Sequence, residues 1–231
     1  MTDSKSRALA SRRAQLSPAQ RARLEQRLRG RATPASDDRI GDRIGRRAPD
    51  GPAPLSFSQA RLWFLQQLEP ENPFYNESVC VRLLGPLDRR ALTQALAAVV
   101  ERHEMLRTRL YDEGGVPVQV VEPTGAIPVA IDALGHLPEA EREAELQRRA
   151  LAFARTPVAL DKGPLVRARL TELAPQHHVF HLSMHHVVAD GWSLMRFIQE
   201  MGLLYEATVA GTTVDLPRPE VRYRDFAVWQ R

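Results

Sequence analysis

Cysteine, lysine and aromatic residues are scarce in this chain, and it has no long apolar run. A single cysteine, Cys80, in 231 residues excludes an intramolecular disulfide framework. No stretch approaches the ~18 to 20 consecutive apolar residues that span a bilayer, so no membrane association is expected. The start, Met1 to Arg7, lacks the apolar centre of a signal peptide, which makes the cytoplasm the expected compartment. Lys5 and Lys162 are the only lysines, so nearly all of the 32 basic residues are arginine. Aromatics make up 6% of the chain and do not interleave with the arginines as base stacking requires, so no nucleic acid partner is expected.

The basicity that remains, a sequence pI of about 9.7, is unevenly placed. Residues 1–50 hold 13 Lys/Arg against 6 Asp/Glu, and the rest of the chain holds 19 against 22. The positive charge therefore belongs to a leader. Within it, Ser17-Pro18-Ala19-Gln20 reads as a capping box with proline at the first helical position, and Gly30 supplies a stop, which predicts a short helix over 18–29. Its apolar content, mainly Ala22, Leu24 and Leu28, is too thin for a core, so it must dock on something or fray. The segment 31–54, rich in Pro, Gly, Asp and Arg, reads as linker. The expected division is a helical or disordered leader and linker over 1–54, with a possible docking helix, and a folded unit over 55–231.

From Leu55 onward the pattern is α/β. Asp88 caps a helix with Leu92, Leu96, Val99, Val100 and His103 at helical spacing, followed by a strand over 106–111, the turn Gly114-Gly115 and a strand over 116–121. A short strand over 127–131, a charged helix over 139–154, a hairpin of 165–173 with 178–184, and a helix over 193–210 complete the pattern.

The hairpin delivers His185-His186-Val187-Val188-Ala189-Asp190-Gly191. Side chains of successive strand residues point to opposite faces, so His185 and His186 cannot share one site: one faces the scaffold and the other a cleft. The same alternation opposes a metal site built from His185, His186 and Asp190. A neutral imidazole accepts a proton near physiological pH, which suits acyl transfer. Asp190 could orient the loop through a buried ion pair, and Gly191 lets backbone approach closely where a helix starts at Trp192 and Ser193. His177, His178 and His181 fit turn, surface and packing roles, and His103 ends a helical stripe; none is a candidate catalyst.

His-His-x-x-x-Asp-Gly followed by Trp192-Ser193 resembles the signature of nonribosomal peptide synthetase condensation domains, which share the chloramphenicol acetyltransferase-like fold. Ser56-Phe57-Ser58-Gln59-Ala60-Arg61-Leu62-Trp63-Phe64 resembles that family's first motif, Arg102-His103-Glu104-Met105-Leu106-Arg107-Thr108-Arg109-Leu110 its second, and Tyr223-Arg224-Asp225-Phe226-Ala227-Val228-Trp229 its fourth. The resemblance implies a two-layer α/β sandwich, the N-terminal half of a condensation domain, that joins two carrier-protein-bound thioesters in secondary metabolite or antibiotic biosynthesis. His186 would position or deprotonate the acceptor amine. His185 and Asp190 would be architectural, Asp190 paired with Arg107 as first choice or Arg61 as second, and Gly191 would offer backbone to the reacting centre. The phosphopantetheine arms would come with the upstream donor and downstream acceptor peptidyl carrier proteins, so no metal or cofactor is expected to bind directly. Since the chain stops after the fourth motif, the C-terminal lobe is expected to be a missing partner and the isolated piece inactive.

Two other classes stay open. A homotrimeric acyl-CoA-dependent acetyltransferase has similar length and the same His-His-x-x-x-Asp-Gly, though the second and fourth motifs speak against it. The other is a noncatalytic module that docks carrier proteins. Trp192-Ser193 speaks against an epimerisation domain, and motif spelling leans toward the subtype joining two L-configured residues.

Overall fold

A computed structural model describes residues 44–46 and 51–231, and Ile44–Arg231 forms one compact unit. The helix expected over 18–29 lies outside the described residues. The elements in order are β1 (Ala53–Pro54), α1 (Phe57–Leu68), β2 (Asn76–Leu84), α2 (Arg89–Arg102), a 3-10 turn (Glu104–Arg107), β3 (Thr108–Glu113), β4 (Val116–Val121), β5 (Val129–Ala133), α3 (Glu139–Ala154), β6 (Val166–Ala174), β7 (His177–His185), α4 (Gly191–Ala210) and α5 (Tyr223–Trp229). The domain starts slightly before the boundary expected at residue 55, because β1 is already a strand of its sheet.

Two sheets form. The smaller has the order β1-β4-β3 and is antiparallel; the larger has the order β2-β7-β6-β5, with β5 parallel to β6 and the other pairs antiparallel. The β3–β4 hairpin closes through Gly114 and Gly115, both at positive φ (64° and 92°), a conformation that other residues adopt only with strain. Strand β7 is flanked on both sides, which is why eight of its nine positions, from His178 to His185, are buried. Its buried run, including Phe180, Leu182 and Met184, packs with Val166, Ala168 and Leu170 of β6.

Helix α2 begins where the sequence placed it. Asp88 accepts hydrogen bonds from the amides of Arg90 and Ala91, both at 2.9 Å, and Leu92, Leu96, Val99 and Val100 form its buried stripe. That stripe shares a core with Phe197 and Met201 of α4. The strand expected over 106–111 instead opens with the 3-10 turn and pairs only from Thr108, because Leu106 and Arg107 belong to the turn.

Three further elements have no counterpart in the pattern expected from the sequence. Helix α1 starts with a full capping box, Ser56 and Gln59 each bonding the other's backbone amide at 3.1 and 3.0 Å. Strand β2 is an edge strand, so its outward residues Ser78, Cys80, Arg82 and Leu84 are exposed and its inward ones are only partly buried. Helix α5 docks on the start of the domain: Tyr223 Oη lies 3.0 Å from Ser56 Oγ, and Gln230 accepts from the Phe57 amide at 2.9 Å.

Candidate active site

The two histidines separate as strand alternation requires. Hydrogen bonds clamp the end of β7 from both sides, the His185 amide donating to Leu165 O at 2.9 Å and the His186 amide to Tyr75 O at 2.8 Å. The side chains then part company.

His185 is 2% exposed. Its Nδ1 accepts from the Val187 amide at 3.1 Å, which leaves Nε2 to carry the proton of the neutral ring. That Nε2 is buried without a hydrogen-bond partner among the described residues. Burial, aided by the neighbouring His186, pushes the His185 imidazole down to about 4, so it is neutral at physiological pH. It shapes the turn and takes no proton.

His186 keeps 40% of its side chain accessible. Its Nδ1 lies 3.0 Å from Glu77 Oε1 on β2, within ion-pair distance. The imidazole lines an open cavity of about 1020 Å³.

All four motifs reach this cavity. Ser58 and Leu62 come from the first, His103 to Arg107 from the second, His186 and Asp190 from the third, and Tyr223 and Phe226 from the fourth. Segments more than 160 residues apart in sequence therefore converge on one space.

Among the described residues, Asp190 pairs with no arginine. It is the N-cap of α4, where Oδ1 accepts from the Ser193 amide at 2.8 Å and the Ser193 hydroxyl at 2.7 Å. These bonds, from the amide first and then the hydroxyl, hold its carboxyl below the usual carboxylate range. The cap satisfies Asp190 locally, so the loop needs no distant cation. Arg107, the first expected partner, lines the cavity and donates from Nη1 to Glu122 O, while its Nε is buried without a partner among the described residues. It is held closely: a Cβ on Gly125 would lie 2.7 Å from Arg107 Cβ and 3.1 Å from Val100 Cγ1. Arg61, the second expected partner, is exposed on α1 and does not line the cavity. Gly191 is the first residue of α4, and a Cβ there would meet nothing within 4 Å.

The sequence did not single out Glu200. Its side chain is 4% exposed and collects Arg196 Nε at 2.8 Å, Arg102 Nε at 3.1 Å and His103 Nε2 at 2.8 Å. Burial pushes its carboxyl up, but the bonds from His103, Arg196 and Arg102 outweigh this and the net direction is down. Arg102 also donates to Leu216 O and Pro217 O at 3.2 and 2.8 Å, which ties the segment before α5 to the same point. A charge at a buried position of the α4 stripe, between Phe197 and Met201, was the available signal. The other strand histidines stay outside the cavity: His177 contacts Arg82, His178 is buried, and His181 sits between Cys80 Sγ at 3.2 Å and Thr171 Oγ1 at 3.1 Å.

The Condensation domain family model matches residues 50–231. The chain belongs to the condensation domain family. It is 41% identical over 223 residues to the phosphinothricin tripeptide synthetase PhsC of Streptomyces viridochromogenes, covering 96% of this chain and 20% of that protein. The chondramide synthase cmdD of Chondromyces crocatus is 43% identical over 179 residues, 77% of this chain and 4% of that protein. The chain thus spans a small part of the length of either relative. Among solved structures, the starter condensation domain of the rhizomide synthetase RzmA superposes with a TM-score of 0.67 at 27% identity, covering 72% of this chain and 40% of that one. A variant of that domain, crystallised in complex with C8-CoA and Leu-SNAC, gives 0.66 at 27% identity over 71% and 37% of the two chains. The condensation domain fold thus accounts for both sheets and for the convergence of the motifs. Among the described residues, no helix is long and apolar enough to cross a membrane.

Proposed function

We propose that this chain supplies the histidine-bearing wall of a peptide-bond-forming site in nonribosomal peptide synthesis. The carrying observation is the cavity of about 1020 Å³ that all four motifs line and into which only the second histidine of the pair opens. The acceptor amine of an aminoacyl thioester attacks the carbonyl of the donor thioester; a C–N bond forms and the C–S bond breaks. His186 Nε2 holds or takes the amine proton, which finally passes to the departing thiolate. His185 and the capped Asp190 fix the loop, and Gly191 leaves the first turn of α4 open towards the reacting atoms. Donor and acceptor arrive on the phosphopantetheine arms of upstream and downstream carrier proteins, and a C-terminal lobe supplies the opposite wall.

The ligands of the related rhizomide synthetase domain, an acyl thioester and a leucyl thioester mimic, support this pairing of substrates. A complete condensation domain carrying His186→Ala, given loaded donor and acceptor carrier proteins, should lose about two to four orders of magnitude in product formation, the range for a positioned acid–base group. Near wild-type product would overturn the assignment.

A further inference from the structure

We infer that Arg102 is a positioning residue: its guanidinium pins the strap 213–221 in place as one wall of the cavity and so sets the fit of the carrier-bound substrates. The inference rests on the proposed use of that cavity and adds which residue shapes it.

The strap has little else to hold it. It runs between α4 and α5 without helix or strand, and its Arg218, Pro219 and Val221 line the same cavity as His186. Among the described residues, no backbone group of 213–221 bonds another backbone group, and none of its side chains belongs to the hydrophobic core. Pro217 and Pro219 have no amide hydrogen to offer. Among the described residues, the hydrogen bonds of the strap come from one side chain, with Arg102 Nη1 donating to Leu216 O at 3.2 Å and Nη2 to Pro217 O at 2.8 Å.

Arg102 can hold the strap because it is itself held. It is the last residue of α2, and its Nε donates to Glu200 Oε2 of α4 at 3.1 Å, on a carboxylate that His103 Nε2 and Arg196 Nε also bind. Its side chain is 17% accessible, so water screens these bonds only in part. A guanidinium is planar and carries its donors in a fixed fork, so the edge on Glu200 aims the other two nitrogens at the strap. A lysine in its place offers a single ammonium, which can meet Glu200 or a carbonyl but cannot span all three acceptors. Since the strap adds nothing to the core, its release shifts the wall and spares the fold.

The test reads the motion of the strap before it reads turnover. ¹⁵N relaxation of the 231-residue chain in dilute solution should give the parent's strap amides order parameters near the rigid value of about 0.85, and Arg102→Met and Arg102→Lys should lower them below about 0.6 while α2 and α4 keep theirs. Arg102→Lys keeps a charge facing Glu200, so it should melt within a few degrees of the parent, and it carries the test if Arg102→Met does not fold. In a complete condensation domain given loaded donor and acceptor carrier proteins, Arg102→Lys should raise KM for at least one of them about tenfold, with kcat within about threefold. Equal strap order parameters in the parent and Arg102→Lys, or a loosened strap with both KM values unchanged, overturns the inference. A loosened strap and a raised KM in a domain whose His186→Ala variant stays active would instead overturn the proposed function and leave the positioning of the strap intact.

Discussion

Arg224 on α5 meets Glu104 in the 3-10 turn after α2, with Nε 3.1 Å from Oε2 and Nη2 donating to Oε1 at 3.3 Å. The contact joins the fourth motif to the second across 120 positions, and its carboxylate lines the cavity. Arg224 keeps only 9% of its side chain accessible and Glu104 27%, so solvent screens the pair only in part. Glu104→Ala should cost about 1.5–3 kcal/mol, the range for a hydrogen bond to a charged group, and should raise hydrogen exchange in α5 before the rest of the domain. A thermal melt matching the parent, with α5 still protected, would count against this tie.

Asp190 carries a different prediction from the one its sequence context implies. A buried ion pair implied a loss on the order of 3 to 5 kcal/mol on truncation. As a helix N-cap the carboxylate is worth about 1 kcal/mol, so Asp190→Ala should lower stability by roughly that amount and Asp190→Asn, itself a good cap, by less. The pH dependence follows from the direction of the shift. The folded carboxyl is held below its ordinary value of 3.8, so its contribution is complete above that value and fades as pH falls through the folded one. Denaturant melts between pH 7 and pH 3 should show this fading in the parent and not in Asp190→Asn.

The parts of the site that local chemistry dictates were legible, and those that depend on tertiary partners were not. Strand periodicity alone separated His185 from His186, and the capping signal at Asp88 and the Gly114-Gly115 turn marked their elements. The resemblance implies an ion-pair partner for Asp190, an arginine from a preceding motif. Its actual partner, Ser193, was three residues away in the same sequence, in capping position. Strand β2 is an element the sequence does carry, since Val79, Val81 and Leu83 alternate with Ser78, Cys80 and Arg82 at strand period. Glu200 carried a local sign, a charge on the buried stripe of α4 four positions after Arg196, but its partners Arg102 and His103 lie about 100 positions away and could not be joined to it without the fold.

Glu200 should be a costly carboxylate to remove. Replacing it by Gln leaves Arg102 and His103 facing a neutral group in a nearly buried position, which should destabilise the domain by about 3 kcal/mol. Its net pKa shift is downward, so the stabilisation it provides is present above the ordinary carboxylate value of 4.5 and is lost as pH falls through the folded one. Melts at pH 7 should separate Glu200→Gln clearly from the parent, and the gap should narrow as pH falls below 4.5. A constant gap across that range would show that packing, not charge, is responsible.

His185 adds a second acid-sensitive element in a higher window. A histidine depressed from 6.5 to about 4 stabilises the fold fully above 6.5, and the contribution drains away down to about 4, below which both states are protonated. The span of roughly 2.5 units corresponds to an effect on the order of 3 kcal/mol. Because carboxylates titrate mainly below this window, a fall in stability between pH 6.5 and 4.5 should be shallower in His185→Gln than in the parent, even though the variant is less stable at pH 7. Equal slopes would place the acid sensitivity elsewhere, with His181, whose burial also lowers its imidazole, the next residue to replace.

Trp192, 88% exposed, and Met195, 54% exposed, project from the first turns of α4 between the cavity residues Asp190, Ser193 and Arg196. Large apolar side chains so placed seek a covering surface, and in the proposed function that surface is the C-terminal lobe. The 231-residue chain alone should therefore self-associate as concentration rises and should form no peptide bond from loaded carrier proteins, because a site with one wall is neither closed nor preorganised. Trp192→Gln with Met195→Gln should shift sedimentation towards monomer without lowering the melting temperature by more than a few degrees, since neither side chain belongs to the core. Addition of the complementary lobe should have the same effect on the parent. A chain that stays monomeric at high concentration and condenses loaded substrates by itself would rule out the one-wall reading.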